Sequence, residues 1–161
     1  MEKIKPLKIF LVDDDLYCLN LFGRYLNYLG HTHIQYFTKS SECLDQLPLK
    51  PDLVFLDYQM DNLGGIQLLR KIKRFDPNIQ VVYISGQEEI DVAVNAMKYG
   101  ALDCITKTRM DEQKMRRCLG KVLQIRDGLQ EKGRRGRVTR IFSEIEALSA
   151  LFFLQGWFSR V

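Results

Sequence analysis

A chain of 161 residues with 46% hydrophobic and 27% charged side chains has room for one globular domain and an appendage. No apolar run approaches the ~18 residues of a membrane-spanning helix, and the start, MEKIKPLKIF, meets Asp13 before a cleavable apolar segment develops; the expectation is a cytoplasmic chain with no transmembrane segment. The net charge of +4 is uneven: residues 107–140 carry twelve Lys/Arg against four Asp/Glu (+8), and the remainder twelve against sixteen (−4), so the basic character is local and does not by itself imply nucleic-acid binding.

Strand and helix patterns alternate along the chain. LKIFLV (7–12) reads as a buried strand. Leu19, Phe22, Leu26 and Leu29 then repeat at helical spacing, and Gly30 ends that helix. HIQYF (33–37) is a second strand, and KSSECLDQL (39–47) a short helix started by its serines and stopped by Pro48. DLVFLD (52–57) is the third strand; Ile66, Leu69 and Ile72 mark a helix that stops before DPN (76–78). IQVVYIS (79–85) is the fourth strand, and Ile90, Ala93, Val94 and Met97 mark a helix closed by Gly100. LDCIT (102–106) is the fifth strand, and a long helix from about Asp111 turns Met115, Leu119 and Val122 inward. Strands that are continuously apolar, each followed by a helix, predict an α/β fold: a doubly wound five-stranded parallel sheet covered on both faces. Ligands of such sheets gather beyond the carboxyl ends of the strands.

Those ends are chemically crowded. Asp13, Asp14 and Asp15 follow strand one, Asp57 ends strand three, Ser85 and Gly86 end strand four, and Lys107 follows strand five. Singly these are weak signals: adjacent acids can cap a helix, Ser-Gly is a common turn, and a lysine is usually a solvated charge. Asp15 is read as such a cap. Jointly they place several carboxylates, a hydroxyl and an amine on one sheet edge. Like charges so close repel unless a cation sits among them, and hard oxygen ligands suit Mg²⁺. A divalent ion with a carboxylate nucleophile, a lysine and a hydroxyl makes a phosphoryl-transfer site. His31 and His33 flank strand two, away from this edge, and are read as surface or packing residues. Cys18, Cys43, Cys104 and Cys118 form no CxxC pair and are read as buried thiols.

In type and order these residues, with the stretch SGQEEIDVAVNAMKYGALDCITK (85–107), resemble the receiver domain of two-component response regulators over roughly residues 5–128. The resemblance implies a flavodoxin-like fold with strand order 2-1-3-4-5. It implies Asp57 as phosphoacceptor, charged by a sensor histidine kinase, a phosphotransfer protein or a small phosphodonor. Asp13, Asp14, Asp57 and the backbone carbonyl of Gln59 would hold Mg²⁺; Ser85 would bond the phosphoryl oxygens and Lys107 pair with them. Such a chain is a phosphoacceptor that assists its own phosphorylation and dephosphorylation, not an enzyme in the ordinary sense. Three positions depart from the family pattern. Cys104 occupies the switch position, where an aromatic residue is usual. Thr108 follows Lys107 where proline is common, so a trans bond is expected there. Asp61 also stands where proline is common.

The expected organisation is a receiver over 5–130, a basic linker over 131–140 (EKGRRGRVTR) and an apolar helical tail over 141–161. The tail segment IFSEIEALSALFFLQGWF is apolar around more than one helical face and must pack on something. Cys118, Val122, Ile125 and Leu129 repeat at 4, 3 and 4, a short coiled-coil-like seam. A homodimer through the C-terminal helix and tail is therefore expected, with docking on a membrane surface as the second option. Two other functions compete. A haloacid dehalogenase-like phosphatase needs a second aspartate two residues after the nucleophile, where Gln59 stands. A nucleic-acid binder using the 131–140 run would lack aromatic interleaving and any recognition motif; no nucleic-acid partner is expected.

Overall fold

A strand covered on both faces must be apolar at successive positions, and its alternate side chains then feed two separate cores. That is the arrangement here. In the computed structural model, which describes residues 6–60, 63–86, 90–133 and 136, five parallel strands form one sheet in the order β2-β1-β3-β4-β5: β1 Ile9–Val12, β2 Ile34–Phe37, β3 Leu53–Asp57, β4 Gln80–Ser85 and β5 Asp103–Thr106. Ile9, Leu11, Leu53, Phe55, Val82, Ile84 and Ile105 enter one core. Phe10, Val12, Val54, Leu56, Val81 and Tyr83 enter the other.

The first core is closed by α1 (Leu16–Tyr28), through Cys18, Leu19, Phe22 and Leu26, and by helical residues 112–123 (α5), through Met115, Cys118, Leu119 and Val122. The second is closed by α2 (Ser40–Gln46), α3 (Gly65–Phe75) and α4 (Ile90–Lys98). Asp15 is the N-cap of α1, accepting from the Tyr17 amide at 2.8 Å. Gly30 and Gly100 take φ of 87° and 95° just beyond α1 and α4, a region an L-residue with a Cβ enters only at a cost.

Two local readings need correction. The serines do not cap α2: its N-cap is Lys39, without a side-chain bond, because Ser40 Oγ instead donates to the Leu63 carbonyl at 3.1 Å. Pro48 does not simply stop the helix but lies in a 3-10 turn, Leu47–Leu49, that continues it. On α4 the apolar residues that mark the helix are not those it buries. Val92 and Ala96 pack inward, whereas Ile90, Val94 and Met97 are 80%, 59% and 51% exposed.

The chain divides into two units, 1–123 and 124–161. In the second, residues 124–133 are helical and Leu129 is largely exposed. The tail at 141–161, most of the 131–140 run and Asp61 lie outside the described residues. Among the described residues no helix is long and apolar enough to cross a membrane.

Candidate phosphoacceptor site

Four strands, β1, β3, β4 and β5, end on the same edge of the sheet and bring the predicted residues together. β1 hands the chain to Asp13, whose amide bonds the Phe37 carbonyl at 3.1 Å, so this residue is still tied to β2 as it leaves the sheet. β3 ends on Asp57, opposite Ile84 of β4, and the ladder continues one step as the Tyr58 amide donates to the Ile84 carbonyl at 2.7 Å. Rigid strand pairing therefore reaches right up to the carboxylate. Asp13 and Asp57 are 2% and 1% exposed, while Asp14 faces solvent. Ser85, buried, ends β4 beside Thr106 of β5. Lys107 opens the 3-10 turn Lys107–Arg109 that follows β5.

Lys107 Nζ lies 2.8 Å from Asp13 Oδ2 and 3.1 Å from Asp57 Oδ1. Both carboxylates are oriented from their other oxygen: Asp13 Oδ1 accepts from the Asp15 amide at 2.9 Å, and Asp57 Oδ2 from the Gln59 amide at 3.1 Å. Burial pushes both carboxyl groups above the usual carboxylate range; for Asp57 the neighbouring Asp13 charge adds to this, and in both Lys107 opposes it. Burial alone would lower the Lys107 amine, but Asp13 and Asp57 outweigh it and hold the amine above its ordinary value.

These residues fit a divalent cation. Asp13, Asp14 and Asp57 each offer a carboxylate oxygen, all within 4.8 Å of one another. Two of the three are buried, and among the described residues Asp13 Oδ2 and Asp57 Oδ1 accept no well-formed hydrogen bond, although the Lys107 ammonium faces both. Three carboxylates against one ammonium leave two negative charges in a partly dry site. A small hard ion with open water positions matches both the charge and the donors.

The structure also gives the positions of the remaining predicted residues and adds two neighbours of the site. Gln59 is exposed beside Asp57, and Cys104 is half-buried on the α3–α4 side of β5, with Tyr83 of β4 as its register neighbour. Among the described residues no peptide bond is cis, so Lys107–Thr108 is trans as expected. His31 and His33 lie at the opposite end of the sheet from the carboxylates, His33 bonding Ile9 through its carbonyl. Sequence reasoning missed Gly65 and Tyr83. A Cβ on Gly65 would stand 2.5 Å from the Asp57 carbonyl oxygen and 2.6 Å from Tyr83 Oη. The Gly64-Gly65 pair was the available signal; nothing in the apolar run around Tyr83 marks it as a neighbour of the site.

Comparison with known proteins gives the family of this chain. The model of the response regulator receiver domain matches residues 9–120. The transcriptional regulatory protein ZraR of Klebsiella oxytoca is 32% identical over 120 residues, covering 74% of this chain and 27% of that protein. The response regulator protein TmoT of Ectopseudomonas mendocina is 26% identical over 160 residues, covering 94% of this chain and 70% of its own length. Among solved structures, the receiver domain of NtrX from Brucella abortus superposes with a TM-score of 0.67 at 31% identity, covering 72% of this chain and 98% of that one. The chain thus spans about a quarter of ZraR and under three-quarters of TmoT. With its 2-1-3-4-5 sheet and its acidic strand ends, the chain belongs to the response regulator receiver domain family and carries a two-component receiver.

Proposed function

We propose that this receiver is phosphorylated on Asp57, by a phosphohistidine of a sensor kinase or phosphotransfer protein or by a small phosphodonor. The observation that carries the reading is the fixed carboxylate of Asp57 at the end of β3, with Lys107 Nζ 3.1 Å from it and Asp13 and Asp14 alongside. In the transfer, an Asp57 carboxylate oxygen bonds to phosphorus as the phosphorus–nitrogen bond of the phosphohistidine breaks, and the imidazole leaves with the bonding pair and takes up a proton. No side chain need serve as a strong base, because the nucleophile is already ionised; Lys107 favours that ionised form. Asp13, Asp14, Asp57 and the carbonyl of Gln59 would hold Mg²⁺. When bound, the ion neutralises charge that develops on the phosphoryl oxygens. Lys107 is placed to leave its resting carboxylate partners for a phosphoryl oxygen, and Ser85, at the next strand end, to donate to another.

The chain's own residues act by positioning. The β3–β4 ladder holds the carboxylate in line, and the Gln59 amide fixes the rotation of Asp57. The four cysteines are free thiols, and burial pushes Cys43 up to about 12, which suits a reducing cytoplasm where a kinase partner would be met. We further propose a receiver over 5–130, a linker over 131–140 and a tail over 141–161 through which two copies associate. No observation favours the phosphatase or the nucleic-acid reading.

Incubation with acetyl phosphate and Mg²⁺ should raise the intact mass by one phosphoryl group, and Asp57→Asn should remove the increment. A full yield from Asp57→Asn would refute the assignment.

A further inference from the structure

Tyr83 is the largest fully buried side chain among the described residues. It stands on β4 between Leu56 and Cys104, its register neighbours on β3 and β5, and two residues before Ser85 on the same strand. Its ring meets Tyr58 edge-on with centroids 6.0 Å apart. Its hydroxyl reaches the turn between Asp57 and the start of α3. There Tyr83 Oη, the Asp57 carbonyl oxygen and the Tyr58 carbonyl oxygen surround the Cβ position of Gly65 at 2.6, 2.5 and 3.0 Å. Yet the hydroxyl has no hydrogen-bond partner among the described residues.

A buried donor without an acceptor is costly, and phenylalanine would fill the same volume without that cost. Here the orphan and two carbonyls of the very segment that carries the phosphoacceptor converge on one point, the Cβ position of Gly65. That segment is loosely closed, the Gly65 amide reaching the Tyr58 carbonyl at 3.3 Å. A shift of the turn that brings either carbonyl within reach would give the hydroxyl an acceptor. We propose that Tyr83 is a positioning residue of the phosphoacceptor turn: its hydroxyl, unpaired in the resting state, donates to the Asp57–Tyr58 carbonyls when a phosphoryl group occupies the site. The proposal rests on the reading of Asp57 as phosphoacceptor. It makes the occupied state the better hydrogen-bonded one and links Ser85, the turn and α3 through one side chain.

The test uses the full chain and Tyr83→Phe, which keeps the ring. Thermal unfolding is followed in chelator, in Mg²⁺, and in Mg²⁺ with beryllofluoride as phosphoryl mimic, and beryllofluoride is titrated calorimetrically. In chelator the variant should be as stable as the parent or more so, and its Mg²⁺ affinity should be unchanged. Its apparent Kd for beryllofluoride should rise roughly three- to tenfold, the loss of one neutral hydrogen bond. Equal beryllofluoride affinity, or the same loss of stability in all three conditions, would overturn the proposal by showing a hydroxyl with no role or a merely structural one. A parent chain that ignores beryllofluoride would sink the phosphoacceptor reading together with this one, whereas a response shared equally by the variant sinks only this one.

Discussion

Asp57 and Asp13 are the residues on which the native state works against itself. Each is buried with its carboxyl pushed above the usual carboxylate range, so the folded chain binds protons there more tightly than the unfolded chain does. Stability must then fall as pH rises from the ordinary carboxylate range through the raised values. Lys107 shows the opposite case: its amine is raised, and its contribution is lost only in strong alkali. In chelator, the parent should therefore lose stability between acid and neutral pH relative to Asp57→Asn, and the variant should unfold at higher temperature than the parent at pH 7. Melting curves over that pH range check this; curves that run parallel would contradict it. Asp14 has a different part, since it is exposed and carries no buried charge. Asp14→Ala should leave the chelator melting point nearly unchanged but weaken Mg²⁺ binding by ~1–3 kcal/mol, the range for a charge-assisted contact, as read by Mg²⁺ titration. These residues were legible in the sequence because each stands at the end of an apolar run. What the sequence hid was that Lys107 already spans both buried carboxylates at rest, a contact between residues 94 and 50 positions apart along the chain.

Strands were the readable elements, since continuous apolar runs have one interpretation when helices cover both faces. Their order followed once the chemistry at their ends was recognised. Helices were read less well, for two physical reasons. Ser40 stands one residue inside the helix, after Lys39, and its hydroxyl is turned to donate to the Leu63 carbonyl, so a local capping rule lost to packing. On α4 the closest approach to the sheet is made by Val92 and the small Ala96, while bulkier Ile90, Val94 and Met97 turn outward; hydrophobicity alone points to the wrong face. The start of α3 shows how tightly an element can be set against the site. A methyl group on Gly65 has backbone on one side, the Asp57 carbonyl, and a fully buried tyrosine on the other. Gly65→Ala should destabilise the domain by ~1–3 kcal/mol, the range for overpacking, with a matching fall in phosphorylation rate as the turn is displaced. Denaturant unfolding and a time course with acetyl phosphate would measure both. An alanine variant of native stability would show that the turn is softer than its packing suggests.

At the scale of the whole molecule, the family model ends at residue 120, and the sequence beyond has its own character. The coiled-coil-like seam is split in kind: Cys118 and Val122 belong to the receiver core, so they are not free to pair with another chain, while Leu129 is 42% exposed. Any association through this segment must then draw its apolar surface from beyond residue 122. The residues that could supply it are Phe142, Leu151, Phe152, Phe153, Leu154, Trp157 and Phe158. Burying such side chains is worth ~1.5–3 kcal/mol each, enough in sum to hold a dimer at micromolar concentration once association entropy is met. Trp157 is the chain's one tryptophan, so its emission reports this surface directly. On dilution of the full chain, light scattering should fall from twice the 18.8 kDa chain mass to that mass, and the emission should move to longer wavelength over the same concentrations. Phe152→Asp combined with Phe153→Asp should give a monomer with red-shifted emission at every concentration, while phosphorylation of Asp57 remains intact. A parent chain that is monomeric at high concentration with its tryptophan already solvent-quenched would remove the tail as a dimer interface. A monomer with blue-shifted emission that responds only to anionic vesicles would assign the same residues to a membrane surface instead.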